Sequence, residues 1–366
     1  ITIYADTGER LEPLSGEGAL DEAKRLAPES AATVRYDGRL IAPDQWTLQH
    51  TRSLPMHRVA LGDDARLYFA ERTGEVVLKT TASARRIAYA GAVLHWLYFT
   101  PFRRNHGLWL QTIIWLSALG TLMCVLGLVW GFYNWSRSPY RGWLRWHHFV
   151  GLAFGMVSFT WIFSGLLSLD PVDWHADTDP TPTQRSAFSG GALNLGELTL
   201  ANINAQMPAG VKEVEIVPFR GQPRLLFDGK AREPVDDQPI AAALAAAMPG
   251  VAPTDIERLN DYDDYYYDRT QSLPLPVVRA RYRDAAATWL YVDPNRGAIV
   301  RKEERSSRVN RWLYHGLHSL DFPFLYRRRP LWDIVMILLI LGGAGSAMTA
   351  VVPVSRRLWR HVHRLL

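Results

Sequence analysis

Residues 105–136 read NHGLWLQTIIWLSALGTLMCVLGLVWGFYNWS, 32 positions without an Asp, Glu, Lys or Arg. A helix crossing the hydrocarbon core of a bilayer needs about 20 mostly apolar residues. This stretch alone therefore predicts a membrane protein. Two more charge-free runs follow, residues 146–169 and 334–355. The charged fraction of all 366 residues is 21%, an ordinary value, so the apolar residues are bunched rather than abundant. The pattern predicts membrane helices over residues 108–135, 146–169 and 331–352.

Two polar stretches, residues 1–84 and 170–311, are long enough to fold as water-soluble α+β domains. In the first, residues 1–5 and 66–69 predict strands and residues 18–26 a short helix. Thr7-Gly8 and Thr73-Gly74 predict turns. Segments 85–107 and 312–330 approach the membrane. The loop 136–145 carries Arg137, Arg141 and Arg145, and the tail 353–366 carries Arg356, Arg357, Arg360 and Arg364. Two spans separate loop from tail, so both lie on one side, and their arginines fit the cytoplasmic face. Both soluble stretches then face outward, into the periplasm of a Gram-negative cell. Arg103, Arg104 and Arg327, Arg328 and Arg329 run against this assignment, although long translocated domains largely escape the rule. Trp109, Trp135, Trp143, Trp146 and Trp332 fall near span ends, where interfacial anchors belong. The net charge of +5 is mostly arginine beside the spans, which fits headgroups rather than nucleic acid. Cys124 is the one cysteine. It excludes an internal disulfide framework, a four-cysteine metal site and covalent haem attachment through CxxCH.

Shifted by 223 positions, residues 66–109 align without a gap over residues 289–332, and 14 of the 44 pairs are identical. His95 pairs with His318, Gly74 with Gly297 and Trp109 with Trp332. Such a match predicts a tandem duplication. Residues 1–28 also resemble residues 224–249 in pattern. The counterpart of the span that opens at His147 would precede residue 1. The expectation is about 80 further residues with one more span, by the repeat arithmetic, and four spans in the intact protein.

Of eleven histidines, His95, His106, His147, His148, His315 and His318 lie at the apolar runs or their outer approaches. Ionisable groups there are functional candidates. His106 aligns with Arg329 and reads as interfacial, His361 and His363 as part of the basic tail, and His50, His57 and His175 as solvated. Equivalent halves commonly pack about a pseudo-two-fold axis, which would bring His95 and His318 face to face. Two facing histidines can hold a haem iron. Zinc would want four ligands. His147 would face its counterpart in the missing span, giving a second site near the cytoplasmic surface. The residues alone leave a structural role equally open.

Gly342, Gly343, Gly345, Ser346 and Ala347, and likewise Gly120, Gly127 and Gly131, read as close helix packing rather than a nucleotide loop. No dinucleotide fingerprint, P-loop, Ser-His-Asp order or HExxH is present. The acidic-aromatic stretch 260–268 reads as a solvated loop or strand edge. Its alternative reading is a docking surface for a cationic or metal-bearing ligand.

Arg145-Trp146-His147-His148-Phe149-Val150-Gly151-Leu152 and Phe163-Ser164-Gly165-Leu166 resemble the opening and outer end of a helix in the PepSY-associated transmembrane family. Tyr291-Val292-Asp293-Pro294-Asn295-Arg296-Gly297 resembles the PepSY strand–turn element. Arg311-Trp312-Leu313-Tyr314-His315-Gly316-Leu317-His318-Ser319-Leu320-Asp321-Phe322-Pro323, with Arg329-Pro330-Leu331-Trp332-Asp333, resembles the approach to the family's fourth helix. The resemblance covers nearly the whole chain. It implies an α-helical membrane protein with α+β periplasmic PepSY-like domains, in the class of inner-membrane di-haem b reductases of ferric siderophores. It implies His95, His318 and His147 as haem ligands. His148 is a substitute for His147, and His315 ranks below His318 because Ala92 holds its equivalent place. Implied partners are membrane lipid, a ferric siderophore or other ferric chelate, and an electron donor, either a quinol or a cytoplasmic reductase. Nucleic acid is not implied, and no catalytic acid or base is assigned. The alternative function is a non-enzymatic PepSY regulator, a peptidase inhibitor or sensor.

Overall fold

The computed structural model describes residues 12–135, 138–196, 198–211, 213–267 and 272–365. The expected strand 1–5, the Thr7-Gly8 turn, Ser136 and Arg137 of the loop, and Asp268 lie outside these residues. The chain divides into two compact units, Ile1–Leu116 and Ser117–Leu366.

In the first unit a helix, Gly16–Leu26, starts where Ser15 accepts a hydrogen bond from the Gly18 amide (3.0 Å), which relieves an unpaired helix-end donor. It covers an antiparallel meander of β1 (Val34–Leu40), β2 (Met56–Leu61), β3 (Ala65–Ala70) and β4 (Val76–Thr81). Alternate strand residues face one side, so Val59, Leu61, Leu67 and Phe69 meet Ala19, Ala23 and Ala27 in the core. The β3–β4 turn places Gly74 at φ 71°, where a side chain would be strained. Both the expected strand and the expected helix are present, each slightly longer than the sequence suggests. The chain continues through Ala82–Ala88, a π-helical stretch Tyr89–Val93, and one short turn Leu94–Trp96. Leu97 then adopts φ 50° and ends it. Trp109 Nε1 donates to Trp96 O (2.9 Å), pinning this segment to the following helix.

The second unit holds a hairpin of β5 (Val214–Phe219) and β6 (Gln222–Phe227). It also holds a meander of β7 (Pro253–Leu259), β8 (Val277–Tyr282), β9 (Trp289–Asp293) and β10 (Ala298–Glu303). The helix Asp237–Ala247 sets Ile240 and Leu244 against Val278, Ala280, Leu290 and Val292. Gly297 sits at φ 65° in the β9–β10 turn. After Arg305–Asn310 comes a π-helical stretch, Arg311–Gly316, then Leu317–Ser319, then Leu320 at φ 49°. Trp332 Nε1 donates to Ser319 O (3.1 Å).

Among the described residues, three helices are long and apolar enough to cross a membrane: His106–Tyr133, Trp143–Ser168 and Leu331–Leu365, with mean hydropathies of 2.2, 1.8 and 2.2 over their most apolar windows. The expected class, a helical membrane protein with α+β soluble parts, holds. The third helix does not stop at residue 352. It runs through Pro353 into the basic tail, so the four tail arginines are helical. Pro353 removes one backbone donor inside this helix.

Glycines set the close approaches between these helices. A Cβ on Gly342 would run into the Phe154 ring, one on Gly155 would come within 2.9 Å of Leu128, and one on Gly131 within 3.0 Å of Leu152. Gly120 faces Ile162 at 3.3 Å. Gly127 differs from the expectation, since nothing lies within 4 Å of its would-be Cβ. Gly342→Leu is expected to overpack the second and third helices at a cost of about 1–3 kcal/mol. The SDS-unfolding midpoint of the purified protein reads this loss, with Gly127→Ala as the neutral control. Equal midpoints for wild type and Gly342→Leu would contradict the packing.

Candidate functional site

The histidines gather around the second long helix. His147 lies near its start. Its Nδ1 is 3.2 Å from Ser346 O and 3.3 Å from Thr349 Oγ1 on the third helix. A carbonyl only accepts, so Nδ1 carries the hydrogen and Nε2 the lone pair. Toward the other end of the same helix, Ser164 Oγ donates to Trp161 O (3.2 Å) and lies 3.1 Å from His318 Nδ1. The serine hydrogen can equally turn to His318 Nδ1, so this contact orients the ring without fixing its tautomer. Gly165 lies beside the His318 ring, with a would-be Cβ 3.7 Å from Cε1, an ordinary contact distance. Ser164 follows His147 by 17 residues, about 26 Å along an α-helix.

His148 is buried against Tyr140 (ring centroids 5.8 Å) and Phe149 (5.6 Å), and its Nε2 has no hydrogen-bond partner. His315 sits in the π-helical stretch and lines a cavity with Arg311 and Asp321. His95 is exposed, edge-on to Trp96 at 5.7 Å. It belongs to the first unit and His318 to the second. His106 is exposed beside Trp109, and His361 and His363 are exposed on the third helix. His57 corrects the expectation of a solvated ring. It is buried, with Nδ1 2.8 Å from Tyr36 Oη and Nε2 2.7 Å from Leu14 O. His175 and His50 are also partly buried, His175 against Trp174 at 5.1 Å.

The stretch 260–267 is exposed at Asn260, Asp261 and Asp264 and built into the fold at Asp263 and Tyr266. Asp263 Oδ2 accepts from Arg279 Nη1 (2.6 Å) and Tyr291 Oη (3.1 Å), and Oδ1 accepts from the amides of Tyr265 (2.8 Å) and Tyr266 (2.6 Å). Tyr266 is fully buried, stacked on Tyr291 at 4.9 Å. The loop reaches the histidine segment through three bonds. Tyr267 Oη donates to Asp321 Oδ2 (2.5 Å), Trp312 Nε1 to Tyr265 Oη (3.2 Å), and Arg311 Nε to Asp264 O (3.0 Å).

The first unit holds a matching network that the sequence did not reveal. Asp44 Oδ2 accepts from Arg58 Nη1 and Tyr68 Oη, both at 3.1 Å, and Oδ1 accepts from the amides of Trp46 (3.0 Å) and Thr47 (3.1 Å). Gln45 then ties down its own histidine segment, donating to Tyr98 O (2.5 Å) and accepting from Thr100.

These networks bury phenols. Burial, with Asp44 alongside, pushes Tyr68 up to about 12, and burial raises Tyr266, Tyr282 and Tyr291 as well. An unfolded tyrosine titrates near 10. Above that pH the unfolded chain loses protons that the folded chain keeps, so stability falls as pH rises from 10 toward 12. The urea midpoint by far-UV circular dichroism is expected to be lower at pH 11.5 than at pH 9. Equal midpoints would contradict the burial.

No protein-family model and no curated protein matches the chain.

Proposed function

We propose that the chain is a haem b electron-transfer protein of a bacterial inner membrane, built from two PepSY-like halves. In this reading it reduces ferric iron, held in a siderophore or other chelate, on the periplasmic side. The carrying observation is the state of His147 and His318. Each has Nδ1 against a polar group of a neighbouring element, Ser346 O for His147 and Ser164 Oγ for His318, the kind of contact that orients a metal-ligating ring. They serve opposite ends of one membrane helix, about 26 Å apart, as two haems relaying electrons across a core of about 30 Å require. In this reading His318 holds one haem, with His95 as the second ligand assigned by the repeat alone, and His147 holds the other, with His148 beside it. Haem supplies an iron centre that takes and gives one electron. In this reading the histidines hold and orient that centre.

The duplication is supported by agreement at the 223-residue offset. Leu97 and Leu320 share the left-handed backbone, and Gly74 and Gly297 share positive φ. Trp109 and Trp332 donate to equivalent carbonyls, of Trp96 and Ser319. The arginines of the 136–145 loop and of the tail support a cytoplasmic side for both. Ferric iron prefers hard oxygen donors, and reduction to the ferrous state weakens that chelation. This would release the metal with no proton transfer from the protein.

Protein reduced without oxygen and mixed with a ferric hydroxamate or catecholate chelate is expected to reoxidise in a stopped-flow spectrometer, with ferrous iron trapped by a chromogenic chelator. Haem that stays reduced with every ferric chelate, yet is oxidised by ferricyanide, would contradict the substrate. A preparation that takes up no haem would favour the non-enzymatic regulator.

A further inference from the structure

A cavity of about 280 Å³ opens among Arg301, Glu303, Asn310, Arg311, His315 and Asp321 in the second unit. Its two arginines differ. Arg301 is neutralised, with Nη2 2.8 Å from Glu303 Oε1. Arg311 is 4% exposed, and a guanidinium cannot shed its charge. Its Nε donates to Asp264 O (3.0 Å) and its Nη2 to Asp321 O (2.7 Å). The rings of Tyr267 and Trp312 cover it at 4.3 and 4.6 Å. Carbonyls and ring faces offer partial negative charge only. Nη1 has no hydrogen-bond partner, and among the described residues no carboxylate forms an ion pair with Arg311. Asn310 Oδ1, in the same wall, is also buried without a partner. A buried cation left this way is destabilising unless an anion compensates it. Arg311 differs from Arg301 in having no carboxylate paired with its guanidinium, although the buried Asp321 shares the cavity wall.

We infer that the cavity beside Arg311 binds a carboxylate. One monovalent, planar anion matches a single guanidinium with an unused N–H. A polyanion fits less well, because Glu303 and Asp321 stand in the same walls. Ala88 stands 223 residues before Arg311, so the site belongs to the second unit alone. The carboxylate has two sources: the propionate of a haem held by His318, or a free carboxylate, including one borne by a ferric chelate. Only the first source rests on the haem reading.

The test uses the full chain in detergent, freed of haem. Acetate and citrate are titrated calorimetrically against chloride at equal ionic strength. Saturable binding with one site is expected in wild type. Binding at least about tenfold weaker is expected in Arg311→Gln, with an intermediate loss in Arg311→Lys, which keeps the charge but not the fork. Asn310→Asp supplies a carboxylate from the wall and is expected to weaken acetate binding without loss of fold. It decides the matter if Arg311→Gln fails to fold. Haem and its dimethyl ester then separate the sources. If the propionate is the ligand, the ester binds at least about tenfold more weakly to wild type, equally with haem to Arg311→Gln, and bound haem blocks acetate. If the ligand is free, acetate or citrate binds with haem present, and haem and ester behave alike. No saturable binding of either anion together with equal affinity for haem and ester would overturn the site, as would unchanged acetate binding in Arg311→Gln. A chain that binds acetate but never haem would keep the site and sink the haem reading.

Discussion

His318→Ala is expected to remove one haem from the purified protein, His95→Ala to remove the same one, and His147→Ala to remove the other. A bis-histidine site loses its low-spin iron when either ligand goes. The repeat assigns His95 and His318 to one site, and His147 lies about 26 Å from Ser164, the partner of His318. His315→Ala is expected to cost less, because Ala92 holds the equivalent place. Ser164→Ala removes the hydroxyl that contacts His318 Nδ1 and is expected to weaken haem retention by about 10–100-fold, the usual cost of losing such a partner. Haem per protein by pyridine haemochrome, with the reduced spectrum of each variant, reads all of these. Unchanged haem in His318→Ala would overturn the assignment. A loss in His315→Ala with His318→Ala intact would move the ligand one helical turn.

Asp263→Ala is expected to destabilise the second soluble domain by about 3–5 kcal/mol, the range for a buried ion pair left with one partner. The side chain of Arg279 is 8% exposed and keeps only Glu257, itself about half exposed. Tyr291 Oη and the amides of Tyr265 and Tyr266 lose their acceptor together. The loop these bonds shape also grips Arg311 and Asp321. Haem retention at the His318 end is therefore expected to fall with stability, while the His147 end is spared. Asp261→Ala, at an exposed position, is expected to stay within about 0.5 kcal/mol of wild type. Urea unfolding followed by circular dichroism measures both. Matching curves for the two variants would show that Asp263 does not hold the loop.

What could be read in advance follows from how each feature constrains sequence. A bilayer demands length and apolarity, so three charge-free runs announced three long helices. The end of the third was hidden, since Pro353 followed by arginines reads as a stop, whereas the chain stays helical. The β3–β4 and β9–β10 turns were legible because each needs a glycine at positive φ, at Gly74 and Gly297. The matched networks were not. Tyr68 and Tyr291 differ by 223 positions, Arg58 and Arg279 by 221, and Asp44 and Asp263 by 219, so an ungapped comparison finds only the tyrosines. The run 260–268 looked solvated because four of its nine residues are Asp, yet Tyr266 is buried and Asp263 is bonded to Arg279 and Tyr291. The two π-helical stretches leave no compositional mark. The burial of His57 depends on Tyr36 and Leu14, 21 and 43 residues away. Of the candidate ligands, composition drew attention to all five, while the contacts of His318 with Ser164 and of His147 with Ser346 join residues 154 and 199 positions apart and left no mark in the sequence.

The central claim is that these histidines hold haem, and the reduced-minus-oxidised absorption spectrum of the purified protein tests it most directly. The account predicts a sharp reduced Soret band with the α and β bands of low-spin b-type haem, lost at one site in His318→Ala and at the other in His147→Ala. A colourless protein that takes up no added haem while its soluble domains remain folded would contradict it.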